Sequence, residues 1–204
     1  RELGDRKGEA SNLSRIGKLE EGLRNFTKAK ALYKQSFEVS KEIGDKMGES
    51  RALYRIGFVE KKLGNFDSAK ISYSESLNIY RELGNRERES FVLFRIGSVE
   101  KELGNLEVAK NLYYESLNLD REISNKRGES AMLYRIGQIE KELGNLAVAK
   151  NLFTDSLNID REIGDKSGEA TMLIQLADVA RRDGDVTLAI ELHSESITLR
   201  KEMG

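Results

Sequence analysis

One spacing constrains this chain more than any other: its distinctive residues return 40 positions later, without insertion or deletion. The pairs Gly4-Asp5, Gly44-Asp45, Gly84-Asn85, Ser124-Asn125 and Gly164-Asp165 keep that interval, as do Ala29, Ala69, Ala109, Ala149 and Ala189. A unit of that length is one supersecondary element, too small to bury its own apolar face, so it gains stability only by stacking on its neighbours. The spacing predicts a single array over residues 1–204, with five repeats at approximately 5–44, 45–84, 85–124, 125–164 and 165–204. The chain opens and closes at the same phase of the repeat, which reads as a segment of a longer array.

Within a repeat the apolar residues have helical spacing. Ala52, Ile56, Val59 and Leu63 step by 4, 3 and 4, and Ala69, Tyr73, Leu77 and Tyr80 follow nearly the same rule. Each repeat therefore holds two amphipathic helices. Gly64 is expected to close the first in the left-handed conformation, and Asn65 to accept from the free N–H groups of the second. Gly44 and Asp45 do the same between repeats. No stretch alternates with period two over a useful length and proline is absent, so the fold class is an all-α solenoid.

Composition removes several functions. With 34 Lys and Arg against 35 Asp and Glu, the chain has no overall electrostatic footprint for nucleic acid. It has no cysteine, hence no disulfide framework, thiol nucleophile or cysteine metal site, which fits a reducing, cytoplasmic setting. Apolar runs fall short of the roughly 18 to 20 residues a membrane-spanning helix needs. No nucleic-acid or membrane partner is expected, and no cofactor or metal.

The pattern L-x-x-I-G-x-V followed by G-N-F-x-x-A-K-x-x-Y-x-x-S-L resembles the tetratricopeptide repeat in a 40-residue form, over the whole chain. Leu53, Ile56, Gly57, Ala69, Tyr73 and Leu77 fall on that family's signature positions, while its first large aromatic is leucine here and its terminating proline is missing. The resemblance implies a right-handed α-solenoid of helix-turn-helix repeats, of the kind found in polarity adaptors and in sensor arrays of signalling ATPases and transcription regulators. It also implies a reason for Gly57, which costs its helix about 1 kcal/mol relative to alanine: close crossing of the two helices where Ala69 lies.

Glu60 falls between the two apolar stripes of its helix, where an unpaired charge would be costly. Glu20, Glu60, Glu100 and Glu140 recur with Lys30, Lys70, Lys110 and Lys150 and with Arg15, Arg55, Arg95 and Arg135, and in the fifth repeat all three change together to Ala180, Ile190 and Gln175. The expectation is a repeated internal Arg–Glu–Lys network. The arginines have a second reading of equal weight: in the resembled family the residue before the Ile-Gly pair borders the concave groove, so they could also form a ladder for carboxylates or phosphates.

The face of the first helix opposite the core supplies a candidate peptide groove. It includes Arg51, Tyr54, Arg55, Phe58, Lys61 and Lys62 in repeat two, Phe91, Phe94, Arg95 and Lys101 in repeat three, and Tyr134, Arg135, Gln138 and Lys141 in repeat four. This face is net basic in a chain of net charge −1, so the rest of the surface is acidic. Its aromatics read as exposed binding anchors, in contrast to Tyr33, Tyr73, Tyr113 and Phe153, which occupy a packing position on the second helix. The stretch from Phe91 to Glu142 is the expected centre of the site.

Catalysis finds little support. His193, the one histidine, occupies the packing position of the last second helix and reads as structural, and the carboxylates recur with the repeat whereas an active site occurs once. Two functions remain, with protein or peptide partners. The first is a scaffold that binds an acidic segment with apolar anchors, and the second is end-to-end self-association through apolar faces that include Leu13, Leu19, Leu192 and Leu199. A sensor array within a larger signalling protein is a further alternative.

Overall fold

The computed structural model describes residues 3 to 203, with side chains from Arg6 onward. Ten helices and no strand form among them: α1 (Leu3–Gly22), α2 (Phe26–Glu42), α3 (Lys46–Lys62), α4 (Phe66–Glu82), α5 (Arg86–Glu102), α6 (Leu106–Glu122), α7 (Lys126–Glu142), α8 (Leu146–Glu162), α9 (Lys166–Arg182) and α10 (Val186–Met203). Gly4 and Asp5 fall inside α1, and the side chain of Asp5 lies outside the described residues. The chain forms two compact units, Arg1–Ala109 and Lys110–Gly204, with the border inside α6. In the first, each helix from α1 to α5 packs on the next; in the second, α7 packs on α8, α8 on α9 and α9 on α10. The all-α repeat expected from the periodicity is the fold that forms.

Glycine closes most helices as expected, with positive φ at Gly44 (69°) and Gly64 (81°). Arg24 (63°) and Ser124 (56°) adopt the same conformation without being glycine, at a cost of roughly 1–2 kcal/mol each. The two kinds of turn differ in their capping chemistry. Between repeats, Asp45 accepts from the Gly48 N–H at 2.9 Å and Asp165 from the Gly168 N–H at 2.9 Å, which are true N-caps. Within repeats one, two and four the expected cap does not form. The side chains of Asn25, Asn65 and Asn145 make no capping bond to their helices.

The buried rings explain Gly57 differently from the sequence reading. A Cβ added there would lie 2.8 Å from the Tyr73 ring, and at Gly17 and Gly137 it would meet Tyr33 and Phe153 at 2.7 Å. The close approach is to the aromatic ring of the paired helix rather than to Ala69. Tyr33, Tyr73 and Phe153 are fully buried in consequence. His193, at the same repeat position on α10, is instead exposed, so the packing role expected of it does not form. Ala177, in place of the glycine, therefore meets no tucked ring there.

A second internal register was not anticipated. Ser36, Ser76, Ser156 and Ser196 are buried and donate to the carbonyls of Ala10, Ser50, Ser130 and Ala170 at 2.8 to 3.1 Å. Each bond joins the two helices of one hairpin, satisfying a polar group inside the core.

The apolar faces of α1 and α10 are also redistributed. Leu192 and Leu199 pack on the core cluster of Phe153, Met172 and Leu176, so they are not part of a bare face. Leu13 is half-buried. The exposed apolar side chains include Ile16 and Leu19 on α1, Leu23 in the turn after it, and Val186, Ile190 and Ile197 on α10.

Candidate functional site

The recurring glutamate organises the surface from which any site is built. Glu60, Glu100 and Glu140 are buried at the end of each first helix. Lys30 reaches Glu60 at 2.9 Å, Lys70 reaches Glu100 at 2.6 Å and Lys110 reaches Glu140 at 3.1 Å, so each lysine binds the glutamate one repeat ahead. The other carboxylate oxygen accepts from Asn65, Asn105 or Asn145 at 2.7 to 2.8 Å. Burial alone would raise the Glu60 carboxyl, but the hydrogen bonds from Asn65 and Lys30 outweigh it and hold the group below the usual carboxylate range. Glu100 and Glu140 are lowered by the corresponding partners. Glu20 pairs within its own repeat, with Lys28 at 2.5 Å and Asn25 at 2.8 Å. Lys150 is exposed, since the register of the other lysines places it against Ala180.

Arginine is not part of this network. Glu60, Glu100 and Glu140 bind only lysine and asparagine, and the arginines turn toward the aromatics. The guanidinium of Arg95 lies 4.8 Å from the Phe91 ring centre and 5.2 Å from that of Phe94. Arg55 lies over Tyr54 at 5.8 Å and approaches Glu21 at 3.5 Å, and Arg135 lies over Tyr134 at 5.3 Å. Asparagine is the partner that sequence reasoning missed. Its signal was present: asparagine follows glutamate by five residues in repeats one to four and becomes Asp185 where glutamate becomes Ala180. With no carboxylate to hold, Asp185 reverts to capping and accepts from the Leu188 N–H at 3.0 Å.

The candidate groove residues differ in their freedom. In the first unit Tyr54 packs its ring 5.7 Å from Tyr73 and 5.4 Å from Phe91, bridging neighbouring repeats. Burial pushes its phenol pKa up. Phe58 packs on the core cluster of Tyr33 and Val59 with Lys62 5.5 Å from its ring centre, and Phe94 is half-buried. Of the five aromatics read as exposed anchors only Phe91 is exposed, at 36 %. The others gain more from covering neighbouring core than from facing solvent.

Among the cations, Lys61 is bound to Ser98 Oγ at 2.7 Å and Glu102 at 2.7 Å, and Lys101 is half-buried on α5. Arg51 is exposed and donates Nε to the Met47 carbonyl at 3.2 Å. The Nε of Arg95 is buried without a hydrogen-bond partner.

In the second unit the corresponding side chains bind one another. Gln138 donates to the Tyr134 hydroxyl at 2.7 Å and accepts from Arg135 at 3.3 Å. Lys141 is held by Gln175 at 2.8 Å and Asp178 at 2.9 Å, and its hydrogen bond, with that of Arg181, lowers the Asp178 carboxyl to about 2. Among the described residues, no three His, Asp or Glu side chains are placed to hold a metal ion, and no helix is long and apolar enough to cross a membrane.

Comparison with known proteins places this architecture. The structure is similar to BtubC (BKLC) from P. vanneervenii, with a TM-score of 0.85 at 16 % identity over 98 % of this chain and 90 % of that one. It is similar to a signal transduction ATPase with numerous domains, described as having a tetratricopeptide repeat sensor, from Pyrococcus horikoshii, with a TM-score of 0.87 at 19 % identity over 96 % of this chain and 31 % of that one. A Rap protein complexed with Competence and Sporulation Factor matches with a TM-score of 0.74 at 19 % identity over 95 % of this chain and 54 % of that one. A search of curated protein sequences gives no match. The profile described as Tetratricopeptide repeat matches residues 8–82, 48–122 and 128–202. With its paired helices, small-residue crossings and repeat-wide profile match in agreement, the chain belongs to the tetratricopeptide repeat family.

Proposed function

We propose that this protein is a non-enzymatic interaction scaffold that holds an acidic peptide segment with apolar anchors on the first-helix face of its first unit. The observation that carries this is Phe91: an exposed ring, in contact with Tyr54 and covered on one side by Arg95, whose Nε has no partner. An aromatic anchor beside a cation suits an apolar residue flanked by a carboxylate. The Rap protein solved with a bound factor and the repeat sensor of the signalling ATPase support binding as the use of this fold. The second of these also supports a sensor role within a larger protein.

Capture from a random peptide library is the test, comparing the wild-type chain with a Phe91→Ser, Arg95→Gln variant after circular dichroism shows that both are helical. Acidic peptides with apolar anchors should be enriched by the wild type alone. Equal enrichment, or none, removes this face as a peptide site. The exposed Ile16 and Leu19 of α1, with Leu23 just after it, and Val186, Ile190 and Ile197 of α10 favour a second reading, self-association. It requires association that rises with protein concentration and disappears in a Leu19→Lys, Ile197→Lys variant.

A further inference from the structure

The face that carries Tyr54 and Phe91 borders a cavity of about 670 Å³, within the size range of ligand pockets. Three first helices wall it, with Arg15 from α1, Arg51 from α3 and Arg88 from α5. Lys7, Lys18 and Arg55 add to them against a single acidic residue, Asp45, whose carboxylate already caps α3. Among the described residues, only Arg55 of these six cations has a carboxylate partner, Glu21. Several basic side chains elsewhere are neutralised: Lys30, Lys70, Arg81 and Arg161 all face carboxylates. A cluster of cations without counter-charge raises the energy of the free protein and is relieved by an anionic ligand. At the wall of the cavity Ser40 is 1 % exposed, and its hydroxyl has no hydrogen-bond partner.

We infer that this cavity takes a phosphorylated side chain of the bound segment, an assignment that rests on the peptide-binding reading above. A carboxylate brings two oxygens and one charge, which a single guanidinium fork satisfies. A phosphate monoester brings three acceptor oxygens and close to two charges, which suits guanidinium groups arriving from three helices. Tyr54 and Phe91 line the same cavity and receive the neighbouring apolar residue. The second unit supplies a contrast. Its cavity of about 270 Å³ carries Asp160 and Asp165 with Arg127 as the one cation, so an anion is repelled there.

Three random peptide libraries that differ only in a fixed central residue, phosphoserine, glutamate or serine, are presented to the full chain and to an Arg51→Gln, Arg88→Gln variant. Both arginines are exposed, so the variant keeps its fold. The wild type should retain the phosphoserine library about tenfold more strongly than the glutamate library, and the variant should lose that preference. A Phe91→Ser variant should weaken retention of the phosphoserine and glutamate libraries alike. Equal retention of phosphoserine and glutamate libraries overturns the phosphate assignment and leaves the acidic-segment reading standing. Retention of none of the three overturns both. If inorganic phosphate alone binds as tightly as the phosphoserine library in calorimetry, the site reads a free anion, and the peptide as its source is wrong.

Discussion

Asn65 shows how a residue type can be read correctly and its job wrongly. Asparagine before a helix is a good N-cap, yet here its amide serves the buried Glu60 carboxylate at 2.8 Å. A hydrogen bond to a charged group is worth about 1.5–3 kcal/mol, more than an exposed cap contributes. Replacing Asn65 with aspartate, an equally good capping residue, should therefore destabilise the protein in urea unfolding, by at least about 1 kcal/mol, because two carboxylates are then forced together. At Gly57 the space is already taken by the Tyr73 ring, 2.8 Å from where a Cβ would sit. Gly57→Ala should cost about 1–3 kcal/mol in the same assay despite its better helix propensity. Ala177→Gly, where no ring intrudes, should cost only about 0.5–1 kcal/mol. The glycines were legible as crossing points, but the ring that makes them necessary was not, because the helical period does not show which side chain crosses above.

Between elements, two carboxylate registers tie each repeat to the next, and only one was legible. The lysine to glutamate pairs were signalled by residues that change together in repeat five. The other register joins Arg81 to Glu89 at 3.0 Å, Arg121 to Glu129 at 2.7 Å and Arg161 to Glu169 at 2.6 Å. In repeat one the arginine is Lys41, and the buried Glu49 keeps an Oε1 without a partner. Lys41→Arg should supply that bond and raise stability by about 0.5–1.5 kcal/mol, seen as a higher midpoint in thermal unfolding. The glutamate network also sets acid stability. Glu60, Glu100, Glu140 and Asp178 all titrate below their ordinary values when folded. Their contribution is fully present above the ordinary carboxylate range and is lost as pH falls through the depressed values, which for Asp178 is about 2. Lys141→Ala should move the Asp178 midpoint upward, toward about 3.9, in a carboxyl-resolved NMR titration.

On the scale of the whole molecule, charge is nearly balanced, at 34 basic against 35 acidic residues, yet it is unevenly used. Many cations are held by carboxylates, including Lys61 and Lys141, which the sequence alone offered to a ligand. Six basic side chains against one acidic residue line the cavity of the first unit. Binding there should weaken steeply as salt rises from about 50 to 500 mM, because exposed charges are screened over a Debye length of roughly 10 Å at 0.1 M. Circular dichroism should stay unchanged over the same range, since the buried pairs are screened far less.

The 40-residue period, by itself, determined the helices, their pairing and their stops, because each of these follows from local spacing and from the few residues that tolerate a left-handed turn. It also made the first helices the candidate binding side, with Arg51, Tyr54, Arg55 and Phe91 among the candidates. Only the tertiary structure decided which of those side chains remain free. A period records that residues recur, whereas freedom depends on what packs alongside: Tyr73 and Phe91 beside Tyr54, Glu102 beside Lys61, and, among the described residues, no ion-pair partner for Arg51.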